Sequence, residues 1–111
     1  MMTLKRRSHE WVDARSLDLA RAVAAKVAAE PSYVEKARAT LARWRQHRSV
    51  WPAALQEWEE LMAGSDLETV LAVLTEDSEE GRRRRQSSPF TGILSEKERR
   101  EVFSRYEEIG A

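Results

Sequence analysis

The pattern Ser-x-x-Glu recurs three times in this chain, at Ser32 and Glu35, Ser65 and Glu68, and Ser95 and Glu98. Each instance stands at the head of a run whose apolar residues return every three or four positions. In such a box the serine oxygen accepts a free amide from the third helical residue, and the glutamate returns a bond to the serine amide. Pro31, Gly64 and Gly92 stand one to three residues ahead of the boxes, where the preceding segment should stop. Alanine, leucine, glutamate and arginine dominate, β-branched residues are scattered, and no strand-like alternation or internal repeat is found.

These signals predict an all-α fold, a compact bundle of about five short helices. The first helix spans roughly residues 14–30, with Leu19, Ala20, Val23, Ala24 and Val27 on one stripe. The second spans roughly 33–47 and buries Val34, Ala37, Leu41 and Trp44. The third starts near Pro52, a favoured first-turn residue, and buries Leu55, Trp58, Leu61 and Met62. The fourth starts at Asp66 with Leu67, Val70, Leu71 and Leu74, and the fifth at Glu96 with Val102, Phe103 and Tyr106. At 111 residues the chain suits a single helical domain over residues 14–111, preceded by a basic N-terminal arm, 1–13, that carries Lys5, Arg6 and Arg7.

Charge bounds the function. Charged residues make up 34% of the chain, yet 19 lysines and arginines match 19 aspartates and glutamates. A dedicated nucleic-acid binder carries a net basic footprint, so this balance argues against that class without removing a local patch. No cysteine is present, which leaves no disulfide or thiolate metal site and suits the reducing cytoplasm. No apolar run approaches the length of a membrane span. The segment MMTLKRRSHEW has no apolar core after its basic residues, so it is not a secretory signal.

Catalytic chemistry finds little footing, and the chain is read as no enzyme, with no catalytic, cofactor or metal residues. His9 and Asp13 share a helical face, but no third ligand is apparent. Ser87 and Ser88 have no neighbouring histidine. The stretch EEGRRRR lacks the glycine-lysine pattern of a phosphate loop.

The stretch TEDSEEGRRRRQSSPFTGIL, residues 75–94, is the densest in features. Acids one turn ahead of arginines pair favourably on a helix, and arginines near a helix C-terminus complement its dipole. Gly81 costs roughly 1 kcal/mol inside a helix, so it marks a close backbone approach or a helix break. Pro89 holds Ser88 toward extended geometry, and Gly92 permits a positive φ. Two readings stay open for Phe90, Ile93 and Leu94: a plug in the end of the bundle, or, for Phe90, an exposed anchor. Trp11, between KRRSHE and VDARS, is a candidate exposed aromatic, while Trp44, Trp51 and Trp58 cluster around the junction of the second and third helices.

The block EEGRRRRQSSPFTGILSEKER, residues 79–99, resembles a family of short bacterial proteins associated with toxin–antitoxin-like modules. RSLDLARAVAAKV, residues 15–27, and WEELMAG, residues 58–64, resemble other segments of that family, so the likeness covers most of the chain. Where related sequences carry a helix-turn-helix module, this chain leaves no room for one. Inhibitory helices of antitoxins that act on AMP-transferring enzymes carry Ser/Thr-x-x-x-Glu-Gly. Here Glu80 and Gly81 fit, but Glu76 stands at the first position. The resemblance implies a non-catalytic interaction module, an antitoxin-like partner or regulator of a bacterial effector enzyme. Arg82, Arg83, Arg84, Arg85, Ser87, Ser88, Pro89, Phe90 and Trp11 are its expected partner-binding residues. The alternative is a small nucleic-acid-binding regulator whose arginine clusters neutralise phosphates.

Overall fold

The computed structural model describes residues 9–110, with side chains from Glu10 to Tyr106. Among the described residues every regular element is a helix: α1 (His9–Ala29), α2 (Tyr33–His47), α3 (Ala53–Gly64), α4 (Leu67–Leu74), α5 (Glu79–Arg85) and α6 (Glu96–Gly110). Six helices thus replace the expected five. The basic residues Lys5, Arg6 and Arg7 lie outside the described residues. Helix α1 begins five residues before the expected start at 14, so Trp11 and Asp13 stand on it.

The three serine boxes separate into one that forms and two that do not. At the head of α6 the Ser95 amide donates to Glu98 Oε1 at 2.6 Å, and the Glu98 amide donates to Ser95 Oγ at 3.1 Å. Ser32 instead adopts a helical conformation and gives no side-chain cap. The amides of Tyr33, Val34 and Glu35 already reach the carbonyls of Glu30, Pro31 and Ser32, so the hydroxyl has no orphan donor to satisfy. At the third site the cap shifts by one residue. Asp66 accepts the Thr69 amide at 2.8 Å, while Ser65 closes α3 by donating its own amide to Leu61 O. Thr69, through its side chain first and its amide second, holds the Asp66 carboxyl below its ordinary pKa.

The chain breaks between α4 and α5 for a local reason. Thr75 donates both its amide and its hydroxyl to Leu71 O, ending α4, and Ser78 caps α5 by accepting the Gly81 amide at 2.9 Å. This reversal lays the first turn of α5 against Glu76. A Cβ at position 81 would sit 2.0 Å from the Glu76 carbonyl oxygen, so only glycine fits there. Gly92, at φ +80°, turns the connection between α5 and α6.

The core is continuous from α1 to that connection. Ala20 and Val27 of α1, Ala37 and Leu41 of α2, and Leu55, Trp58 and Met62 of α3 meet Val70 and Leu74 of α4 and the loop residues Phe90 and Ile93. Helix α1 is the hub, packing on α4, α5 and α6. The contact with α6 is closed by Tyr106, whose hydroxyl donates to the Ala14 carbonyl at 3.1 Å and bonds to Asp18. Burial, with help from Asp18, raises the Tyr106 phenol pKa. Helix α2 packs chiefly on α3, and α3 in turn on α5, so α2 and α3 form a hairpin at one side of the molecule.

Candidate functional site

Four successive arginines on a short helix can point outward to a partner or inward to the rest of the fold. Three of the four find carboxylates in other parts of the chain. Arg82 Nε lies 3.4 Å from Asp13 of α1. Arg83 Nη2 donates to both oxygens of Glu57 in α3, at 2.8 and 2.9 Å, while its Nε donates to Glu80 at 2.9 Å. Arg84 Nε donates to Glu57 at 3.1 Å, and its Nη1 lies 3.6 Å from Glu76. Arg85 Nη1 donates to the Glu76 carbonyl at 2.7 Å. The Glu80–Arg83 pair has the local spacing expected from sequence. The contacts with Asp13 and Glu57 tie α5 to α1 and α3, and those with Glu76 tie it to the connection from α4. Glu57, which the sequence did not single out, is the hub: bonds from Arg83 and then Arg84 hold its carboxyl below the ordinary value.

The turn after α5 is anchored from beneath. Trp58 Nε1 donates to the Arg84 carbonyl at 2.9 Å, adding a side-chain donor to a carbonyl that already accepts the Ser87 amide. The Phe90 ring meets Trp58 edge-on with centroids 6.0 Å apart. Phe90 is 3% exposed and Pro89 is fully buried, so neither belongs to an accessible surface. The plug reading of Phe90 replaces the anchor reading, because the edge-on packing on Trp58 removes its ring from water. Ser88 is half-buried and accepts the Phe90 amide at 3.1 Å, and Ser87, also half-buried, continues the turn through its amide bond to Arg84 O. Trp11 is half-buried rather than open. Its ring stands edge-on to Tyr106 at 5.9 Å, and the Arg15 guanidinium lies 4.9 Å from its centroid.

A second cationic region lies on α2, and sequence reasoning passed over it. Residues 36–48, KARATLARWRQHR, hold five lysines and arginines and no acid. Ala37, Thr40 and Leu41 face the core. Helical geometry puts Lys36, Arg43 and His47 on one flank and Arg38 and Arg45 on the other. The second flank faces α3: Arg38 donates to the Met62 carbonyl at 2.8 Å, and Arg45 lies 3.9 Å from Glu59. Among the described residues Arg43 and Arg48 have no ion pair.

Aromatics interleave with these cations at the tip of the hairpin. The Arg45 guanidinium lies 4.6 Å from the Trp51 centroid, and Arg48 lies 5.4 Å from that of Trp44. Trp51 Nε1 is held by Glu59 at 3.0 Å. Val50, which precedes Trp51 in the chain, is 73% exposed, against 41% for Val12 on α1. The signal was present in the sequence as an acid-free run. It was hidden by the overall charge balance and by the denser arginine block downstream.

Among the described residues no three histidine, aspartate or glutamate side chains gather to hold a metal. The His9 side chain, and with it the His9–Asp13 pairing, lies outside the described residues. Among the described residues no helix is long and apolar enough to cross a membrane. No family model, curated protein or solved structure matches the chain.

Proposed function

We propose that the chain is a non-catalytic protein-interaction module, an antitoxin-like partner or regulator of a bacterial effector enzyme, and that it engages its partner through the α2–α3 hairpin. The observation that carries this reading is the open cationic flank of α2, followed in the chain by the exposed Val50, with Trp44 and Trp51 each under an arginine. Arginine and tryptophan are enriched at interface centres, and charge complementarity selects a partner with an acidic surface. Arg82, Arg83 and Arg84, by contrast, spend their donor forks on Asp13, Glu57, Glu76 and Glu80. The partner-facing role therefore moves from the residues expected in sequence to Lys36, Arg43, Arg48 and Val50.

The nucleic-acid reading draws on the same cations, since arginines and tryptophans also serve backbone phosphates and stacked bases. The two separate by salt. A photo-reactive amino acid at position 50 would capture the partner in cells, and the purified partner is then titrated against the chain. Binding to an acidic protein surface with an apolar anchor survives a rise to physiological salt. Binding to a single-stranded oligonucleotide falls steeply, by roughly 0.7 log units per log of salt for each phosphate neutralised. Capture of nucleic acid at position 50, with that slope, would replace the proposal by the alternative.

A further inference from the structure

A cleft of about 220 Å³ opens where α1, the end of α4, α5 and the loop before α6 meet. Its apolar wall is made by Leu19 and Val23 of α1, Leu74 of α4 and Phe90 of the loop. Two guanidinium side chains, Arg85 and Arg99, complete it, with the hydroxyl residue Ser88 between α5 and the loop. Junctions of several elements, mostly apolar with a few converging polar groups, are where small-molecule sites form.

Arg85 differs from its three neighbours. Arg82, Arg83 and Arg84 each have a carboxylate partner, whereas Arg85 has none among the described residues. Among the described residues its hydrogen bond goes to a neutral carbonyl, that of Glu76, and its Nε is buried with no acceptor. The acids that act on it, Asp77 and Asp13, do so only at longer range, and Arg82 and Arg21 oppose them. Burial is accordingly the leading influence on this guanidinium and lowers its pKa. A half-buried cation without a counter-ion is costly, and a carboxylate brought to it forms a strong charge-assisted pair.

We propose that this cleft binds a small amphipathic acid, its apolar body against Leu19, Val23, Leu74 and Phe90 and its carboxylate on Arg85. Arg99, exposed at the rim, adds positive potential at the mouth. The size of the cleft limits the acid to a short chain or a single ring, part of which stays in solvent.

Octanoate and octanol, equal in chain length and different in head group, test this in a heteronuclear NMR titration of the full chain. Octanoate should give saturable shifts at the amides of Ser16, Val23, Leu74 and Ser88. Octanol should bind roughly tenfold more weakly or worse, because a charge-assisted bond is lost. Arg85→Gln should abolish the difference between the two probes. Because that variant also loses the bond to Glu76, Thr91→Trp provides a second arm: position 91 is exposed at the cleft, and an indole there should block octanoate without touching Arg85. Equal binding of octanol and octanoate to the wild-type chain, absence of saturable shifts at the cleft, or full octanoate affinity in Thr91→Trp would each overturn the proposal.

Discussion

The indole N–H of Trp58 donates to the carbonyl of Arg84 across 2.9 Å, joining the centre of α3 to the last turn of α5. One residue on α3 thus supports the backbone of the arginine helix, and its neighbour Glu57 neutralises two of the side chains. The arginine block is held by the fold from below and from the side, with Arg82, Arg83 and Arg84 paired to carboxylates of the same chain.

Phe90→Ala should destabilise the chain by about 3–5 kcal/mol, as expected for removing a buried aromatic ring. Urea denaturation followed by tryptophan fluorescence checks this. A loss below about 1 kcal/mol would mean that the ring is not core, since surface truncations fall in that range.

Gly81→Ala should also destabilise, although alanine gains roughly 1 kcal/mol in helix propensity over glycine. The added methyl would collide with the Glu76 carbonyl at 2.0 Å, and neither backbone can give way without opening the turn between α4 and α5. A net loss of about 1–3 kcal/mol is expected, typical of overpacking. An unchanged or raised melting temperature would show that the two turns do not pack as described.

Glu57→Gln should lower the denaturation midpoint more than Arg82→Ala does. The first disturbs both the Arg83 and the Arg84 pairs, and the second removes one exposed contact with Asp13. Parallel urea curves for the two variants give the comparison, and the reverse order would place the electrostatic hub elsewhere.

The Glu98 carboxyl is held down to about 2 by the bond from Lys26, aided by the Ser95 amide and hydroxyl. A depressed carboxylate contributes stability above its unfolded value, and that contribution is lost as pH falls through the folded value. The Lys26–Glu98 contribution should therefore be full at neutral pH and fade between the ordinary carboxylate value of 4.5 and about 2. Lys26 is raised by the same partner, so its share is present below the ordinary 10.5 and is lost as pH rises through its folded value. Carbon-detected NMR titration of Glu98 reads this directly, and Lys26→Met should return the carboxyl toward its ordinary range.

The helical class was legible because periodicity is a local property of the sequence. The stripes of α1 to α4 and α6 contain many of the residues that the fold buries, among them Val27, Leu41, Leu55, Trp58, Met62, Val70, Leu74 and Val102. They missed Leu17 and Ala54, and their Val34, Trp44 and Leu61 are only partly buried. Caps were less legible, because a serine oxygen caps only when its turn leaves an amide open. Ser32 shows that neighbouring carbonyls can fill that role, and Asp66 shows that a better acceptor one residue later takes it. The separate α5 was announced by Gly81, whose meaning needed the position of Glu76 to be read. The candidate surface was the least legible. Whether an arginine faces a partner or a carboxylate of its own chain depends on tertiary neighbours such as Glu57 and Asp13, which lie far from it in sequence.

In the proposed complex Arg43 and Arg48, and not the arginines of α5, face the partner. The affinity of the partner captured at position 50 for three forms of the chain tests it most directly: the wild type, Arg43→Glu with Arg48→Glu, and Arg82→Ala. The double variant should bind at least roughly tenfold more weakly, from two reversed charges at the interface, while Arg82→Ala binds as the wild type does. Wild-type affinity in the double variant, with loss in Arg82→Ala, would place the partner on α5 instead.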